Sequence, residues 1–282
     1  MNIGIIGNGF VGKATKLLKN QYIDIYCYDI NPNLCEPLGI NLKDLNVCDI
    51  VFISVPTPMN KDGSVHLEIV KKVIIDLRKN NFNNNIVIRS TVPPGTCDEL
   101  GVYFMPEFLT EKNYENDFIN NELWVYGLLG DKDKDEKFMN NISKLINICY
   151  ENMCIKSNKI EWMTNKEAEM VKYFRNTFLS VKISYCNEIY EYCKLKNINY
   201  ERVRNIAAQD NRIGLSHTSV PGHDGRFGFG GTCFPKDTNG LLSEMKKQGM
   251  NSYMLKSAIK RNEEIDRTEK DWEENKGRSV ID

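Results

Sequence analysis

The N-terminal run NIGIIGNGFVGKAT constrains the chain more than any other stretch. A short β-rich apolar segment leads into glycines at positions 7, 9 and 12, in G-x-G-x-x-G spacing, and then into a helix-forming sequence. In such a unit Gly7 permits the tight turn, Gly9 lets the backbone approach a pyrophosphate, and Gly12 permits close helix–strand packing. The first helical N–H groups face the anion. By itself the triplet is a weak signal, because a glycine-rich turn without a ligand has the same letters. The next β-rich segment, YIDIYCYD, ends on Asp29, seventeen positions after Gly12. A carboxylate there can accept hydrogen bonds from the hydroxyls of an adenosine ribose and would repel a 2′-phosphate. The pattern predicts a site for NAD rather than NADP; the alternative is that Asp29 caps a βα turn.

The segments that follow suit such a site. NIGIIG, YIDIYCYD, DIVFISVP, IVIRS, VYFMP and LWVYGLLG are short and β-rich, and HLEIVKKVIIDLRK and DKDEKFMNNISKLIN have helical spacing. NMCIKS reads as an extension of the same unit. The expected fold class is α/β, a parallel sheet of Rossmann type over residues 1–160, followed by an all-helical domain over residues 161–282. From Thr164 about thirty residues carry neither Gly nor Pro and show apolar residues at helical intervals, which predicts one long helix. A helix of that length suits a domain spine or a dimer interface.

A formal net charge of −1 with interspersed signs gives no broad attraction to nucleic acid or anionic lipid. No window reaches the 18 or so apolar residues of a membrane span, and the N-terminus lacks a signal-peptide pattern, so a cytoplasmic enzyme is expected. The nine cysteines contain no C-x-x-C pair and are scattered along the chain. Free thiols, with neither a disulfide framework nor a metal site, are the reading.

One of these thiols stands apart. Cys233 follows the glycines of GRFGFGG and precedes Pro235, Lys236 and Asp237. A helix beginning at Pro235 would put the sulfur at its positive end beside Lys236, and both effects favour the thiolate. Asp237 is near enough in sequence to act on the same carbon, and the glycines leave room for a substrate. On the long helix, Lys172 and Asn176 share a face and can together stabilise an oxyanion. Glu107 and Glu111 of MPEFLTE follow a strand end, where α/β sheets place ligands. For each of these the plain alternative is a buried thiol or a solvated charge.

These signals coincide in a set of motifs that covers nearly the whole chain: GNGFVG, SVPTP (residues 54–58), STVPPGT (90–96), PEFLTE (106–111), EAEMVKYFRNT (167–177), DNRIG (210–214) and GFGGTCFPKD (228–237). In this order they resemble the UDP-glucose/GDP-mannose dehydrogenase family. The resemblance implies a four-electron oxidation of a sugar C6 alcohol to a carboxylate with NAD as cofactor, through a thioester on Cys233. It implies oxyanion stabilisation by Lys172 and Asn176, and handling of water and protons by Asp237, Thr91 and Glu111. Around NAD it places Gly7, Gly9, Phe10, Val11, Gly12, Asp29, Thr57, Thr91, Glu111 and Lys236. Around the substrate it places Glu107, Phe108, Leu109, Glu111, Lys172, Asn176 and Gly230, with Arg226 on the diphosphate and Arg212 in its own or a neighbouring subunit's site.

The substrate implied is a nucleotide sugar, UDP-glucose first, with a UDP-N-acetylhexosamine or GDP-mannose as alternatives, and the assembly a homodimer. Members of that family carry a further α/β domain over the nucleotide. A chain of 282 residues is expected to be without it, as a short form or a piece of a longer protein; the alternative to an active enzyme is a catalytically weak short form that binds NAD or a sugar nucleotide. Simple β-hydroxyacid dehydrogenases also place Lys and Asn one helical turn apart, but they transfer one hydride and need no cysteine.

Overall fold

Strand β1 (Asn2–Ile6) lies between β2 (Asp24–Tyr28) and β3 (Ile50–Ile53), parallel to both. The chain therefore reverses its direction of winding at β1, and the crevice beyond the carboxyl ends of β1 and β3 is where an open α/β sheet binds ligands. With β4 (Asn85–Ile88), β5 (Tyr103–Phe104), β6 (Trp124–Leu128) and β7 (Ile160–Thr164), the strand order is β2-β1-β3-β4-β5-β6-β7. Among the described residues, only the β5–β6 pairing of these strands is antiparallel. The computed structural model describes residues 1–281.

Alternate strand residues feed two cores. On one face Ile6, Val51, Ile53, Ile86, Ile88 and Phe104 pack with Val70, Ile74 and Leu77 of α2 (Glu68–Lys79). On the other, Ile3, Ile50, Phe52, Val87, Trp124 and Tyr126 pack with Ala14 of α1 (Phe10–Lys16) and with Phe138, Ile142 and Leu145 of α5 (Lys132–Glu151). Short helices α3 (Thr96–Leu100) and α4 (Tyr114–Ile119) fill the connections. NMCIKS is not a strand. Met153 takes a left-handed backbone (φ 59°) and Cys154 N–H donates to the Cys149 carbonyl, so the segment closes the end of α5. The strand beside β6 is IEWMT, eight residues after the start of that segment.

The chain divides into two compact units, Met1–Thr57 with Leu67–Lys172, and Pro58–His66 with the chain from Tyr173 on. The division falls inside α6 (Asn165–Leu195), after Lys172 and not between residues 160 and 161. The first turns of α6 belong to the sheet: Asn165 Nδ2 donates to the Val102 carbonyl (3.0 Å), and a Cβ on Gly127 would lie 2.5 Å from Asn165 Oδ1. The second unit is helical, with the rest of α6, α7 (Tyr200–Ala207), α8 (Phe234–Lys247), α9 (Tyr253–Arg261) and a π-helical turn at Asn262–Asp266. At 31 residues, α6 is the long helix the sequence predicts.

Candidate active site

In the first unit the glycine loop has the geometry its sequence demands. Gly7 holds a left-handed backbone (φ +92°), and a Cβ there would lie 2.7 Å from the Ser54 carbonyl oxygen. A Cβ on Gly12 would lie 2.0 Å from the Gly7 carbonyl oxygen, whereas one on Gly9 would meet nothing within 4 Å. Gly9 is therefore open to an approaching group, and the other two glycines are closed by packing. Phe10 and Val11 open α1 directly behind Gly9. Asp29 is half-buried, and its Oδ2 accepts the Asn8 N–H at 2.7 Å, which ties the carboxylate to the same loop. An open glycine, the N-terminus of α1 and an adjacent carboxylate fit the diphosphate and ribose of NAD.

Two further loops meet at the carboxyl ends of β3 and β4. Thr57 Oγ1 donates to the Thr91 carbonyl (2.9 Å), and Ser90 Oγ donates to the Val55 carbonyl (2.5 Å). Thr57 and Thr91 are both buried. After β5, Glu107 accepts from Lys172 Nζ at 2.6 Å through Oε1 and from Leu109 N–H at 2.8 Å through Oε2. The Lys172 and Glu107 side chains are only 4% and 6% exposed. Burial alone would raise the Glu107 pKa, but the Lys172 ammonium, the Leu109 N–H and the Arg89 charge outweigh it and hold the carboxyl below its ordinary value.

In the second unit Cys233 is the N-cap of α8, with Pro235 in the first turn, and its carbonyl accepts the Asp237 N–H (2.9 Å). The thiol thus stands at the positive end of a 14-residue helix, one turn before Asp237. Asp237 is buried, and its two oxygens accept from Asn176 Nδ2 (2.6 Å) and Lys236 Nζ (2.5 Å). Cys233 is partly exposed, whereas Cys27, Cys48 and Cys149 are buried and pushed up to about 12 by that burial. Cys97 is pushed well above the ordinary thiol range for the same reason.

The other expected residues stand differently. Arg212 is exposed and grips Asp210 with both Nε and Nη2. Arg226 is exposed and lies 3.6 Å from Glu269 and 3.7 Å from Asp271. Glu111 is exposed, and Phe108 and Leu109 are half-buried. The space a Cβ would take on Gly230 is filled by the Arg267 guanidinium, with its carbon 2.4 Å away, so packing by itself calls for a glycine at this position.

No motif of the sequence singles out Arg89. It is 2% exposed at the end of β4, bonds to Thr15 Oγ1 and reaches the Val11 carbonyl at 3.5 Å, which braces the helix behind the glycine loop. A basic residue closing the apolar run IVIRS was the available signal.

The UDP-glucose 6-dehydrogenase YwqF of Bacillus subtilis is 31% identical over 93% of this chain and 66% of its own length. A solved UDP-glucose dehydrogenase from the archaeon Pyrobaculum islandicum is 26% identical with a TM-score of 0.76, covering 93% of this chain and 68% of that one. A GDP-mannose dehydrogenase from Pseudomonas aeruginosa, solved as a ternary complex, is 25% identical with a TM-score of 0.64 over the same shares. The chain spans about two thirds of the length of these relatives. Residues 40–148 match the NAD binding domain of the UDP-glucose/GDP-mannose dehydrogenase family, and residues 166–264 match its central domain. NAD is accordingly the cofactor of the first unit, with the glycine loop just upstream of the matched stretch. Family models matched in sequence order on both units, with relatives aligned over nearly the whole chain, mean that this protein belongs to the UDP-glucose/GDP-mannose dehydrogenase family.

Proposed function

We propose that the chain oxidises the C6 alcohol of a nucleotide sugar, UDP-glucose in the first place, to the carboxylate. NAD, when bound along Gly7, Gly9, Gly12 and Asp29, takes up the hydride lost in each of the two oxidations. At the aldehyde stage the Cys233 sulfur adds to C6: an S–C bond forms and the carbonyl π pair moves to oxygen. Lys172 and Asn176 stabilise that oxyanion by charge and by an amide N–H. The thiohemiacetal so formed is a second hydride donor, and its oxidation leaves a thioester. Asp237, with Thr91 and Glu111, takes the C6 hydroxyl proton in the first oxidation and passes it to solvent, and later takes a proton from the water that adds to the thioester and expels the Cys233 thiolate.

The observation that carries this reading is the placement of Cys233 at the N-cap of α8, one turn before an Asp237 held by Asn176 and Lys236. The test is the amount of NADH formed per sugar consumed, across UDP-glucose, a UDP-N-acetylhexosamine and GDP-mannose. Two NADH per sugar with UDP-glucose is the expected result, and a Cys233→Ser variant should not complete the second oxidation. One NADH per sugar, or normal turnover by the variant, would remove the thioester route.

A homodimer formed through α6 belongs to the same proposal. The buried side of this helix is rich in polar residues, among them Asn165, Glu169, Lys172, Asn176, Ser180 and Asn187, while Phe174, Phe178, Tyr185 and Tyr192 are exposed along another side. An aromatic stripe at helical spacing on the outer face suits a second copy of the chain.

A further inference from the structure

The glycines before Cys233 have a cause outside their own segment. Gly228 holds a left-handed backbone (φ +65°), and a Cβ there would lie 2.2 Å from Asn262 Oδ1. A Cβ on Gly230 would lie 2.4 Å from the Arg267 guanidinium carbon. Both partners come from the segment beyond α9, about thirty residues later in the chain. Asn262 is 1% exposed and grips both sides of Phe229: Oδ1 accepts its N–H at 2.7 Å, and Nδ2 donates to its carbonyl at 2.8 Å. That is the pairing a β-strand would offer, supplied by one side chain. The π-helical turn at Asn262–Asp266 interrupts the regular helix at this point, and the Arg267 N–H closes the turn on the Asn262 carbonyl (2.7 Å).

Arg267 completes the grip. Its side chain is 3% exposed. Nε and Nη2 form a fork on Asp271 (2.6 and 2.9 Å), Nη2 also reaches Asp224 (2.7 Å), and Nη1 donates to the Phe227 carbonyl (3.3 Å). A planar fork makes these bonds together, which an ammonium cannot do. From Asp224 to Gly230 the loop is therefore held from one side by two buried residues, and three residues past Gly230 the chain enters α8 at Cys233.

We propose that Asn262 and Arg267 are positioning residues for the Cys233 thiol: they hold the glycine loop so that the chain meets α8 with the sulfur at the helix N-terminus. The consequence for turnover rests on Cys233 being the nucleophile, but the placement can be read from the thiol alone. Loss of either grip lets the loop move off the helix end, and the thiol then ionises more like a free cysteine.

The test is the pH dependence of iodoacetamide labelling at Cys233, followed by peptide mass mapping in the full chain. Cys154, the other partly exposed thiol, serves as reference, and the seven buried cysteines report any loss of fold. In Asn262→Asp, which keeps the side chain's shape but loses the donor to Phe229, the Cys233 midpoint should move up toward the ordinary thiol value of about 8.5. Arg267→Met should do the same, Arg267→Lys should fall between, and labelling elsewhere should stay as in the wild type. In turnover assays kcat should drop by up to about 100-fold, as expected for a small misplacement of a reacting atom, with little change in KM for NAD.

An unmoved Cys233 midpoint in both Asn262→Asp and Arg267→Met overturns the proposal. So does a rise in labelling of the seven buried thiols in both, because the grip would then serve the fold at large. If Cys233→Ser turned over normally, the catalytic reading would fail, while the midpoint shift would still decide the placement.

Discussion

At the residue scale the Lys172–Glu107 pair is the most exacting contact. Two opposite charges, 4% and 6% exposed, leave a severe debt when one is removed. Lys172→Met should destabilise the protein by about 3–5 kcal/mol, read as a fall in the urea midpoint, besides any effect on turnover. Because Glu107 is held below its ordinary value of 4.5, its contribution is present above that pH and is lost as the pH falls through the lower folded value. A Glu107→Gln variant should therefore lose less stability than the wild type on acidification below about pH 4.5. Gly12 gives a second prediction at this scale. A methyl group 2.0 Å from the Gly7 carbonyl forces α1 off β1, so Gly12→Ala should cost about 1–3 kcal/mol and weaken NAD binding measured by calorimetry.

Among the elements, α6 carries most of the organisation, and its first turns fix a loop as well as a lysine. Glu169 is buried and accepts the Gly95 N–H (2.5 Å) and the Cys97 N–H (2.8 Å), which anchors the STVPPGT loop that carries Thr91. Burial pushes its pKa up to about 7, although the Cys97 and Gly95 N–H groups pull the other way. Here the sign is opposite to that of Glu107. The folded form keeps a proton that the unfolded chain releases, so stability should fall as pH rises from 4.5 to about 7. The full effect is about 3 kcal/mol. Urea midpoints across that window should show the decline, and Glu169→Gln should flatten it; an unchanged slope would place the titrating group elsewhere. The same helix was legible in the sequence from a long run without Gly or Pro, whereas β7 was not. IEWMT is an edge strand with no buried residue, so it lacks the apolar signal that marks β1 or β3.

For the whole molecule the proposed homodimer turns on the outer side of α6. Phe178→Glu or Tyr185→Glu puts a charge into the exposed stripe without touching the buried side of the helix. Either variant should shift the protein from dimer to monomer in analytical ultracentrifugation while leaving the circular dichroism spectrum unchanged. A wild-type chain that sediments as a monomer at micromolar concentration would refute the proposed dimer.

What the amino-acid sequence determined by itself is local: the strand-turn-helix of the glycine loop, the length of α6, and a helix start beside Pro235, one residue off the Phe234 at which α8 begins. Each follows from residues within a few positions of one another, through backbone sterics, helical spacing and the missing N–H of proline. Tertiary structure alone decided which distant residues meet. The glycines at 228 and 230 read as room for a substrate, yet their Cβ positions are taken by Asn262 and Arg267, which lie far along the chain. Likewise Pro58–His66 joined the second unit, and β5 and β6 paired antiparallel within an otherwise parallel sheet. Such outcomes depend on close packing and on the pairing of buried polar groups between segments far apart in sequence, and no short window of residues records them.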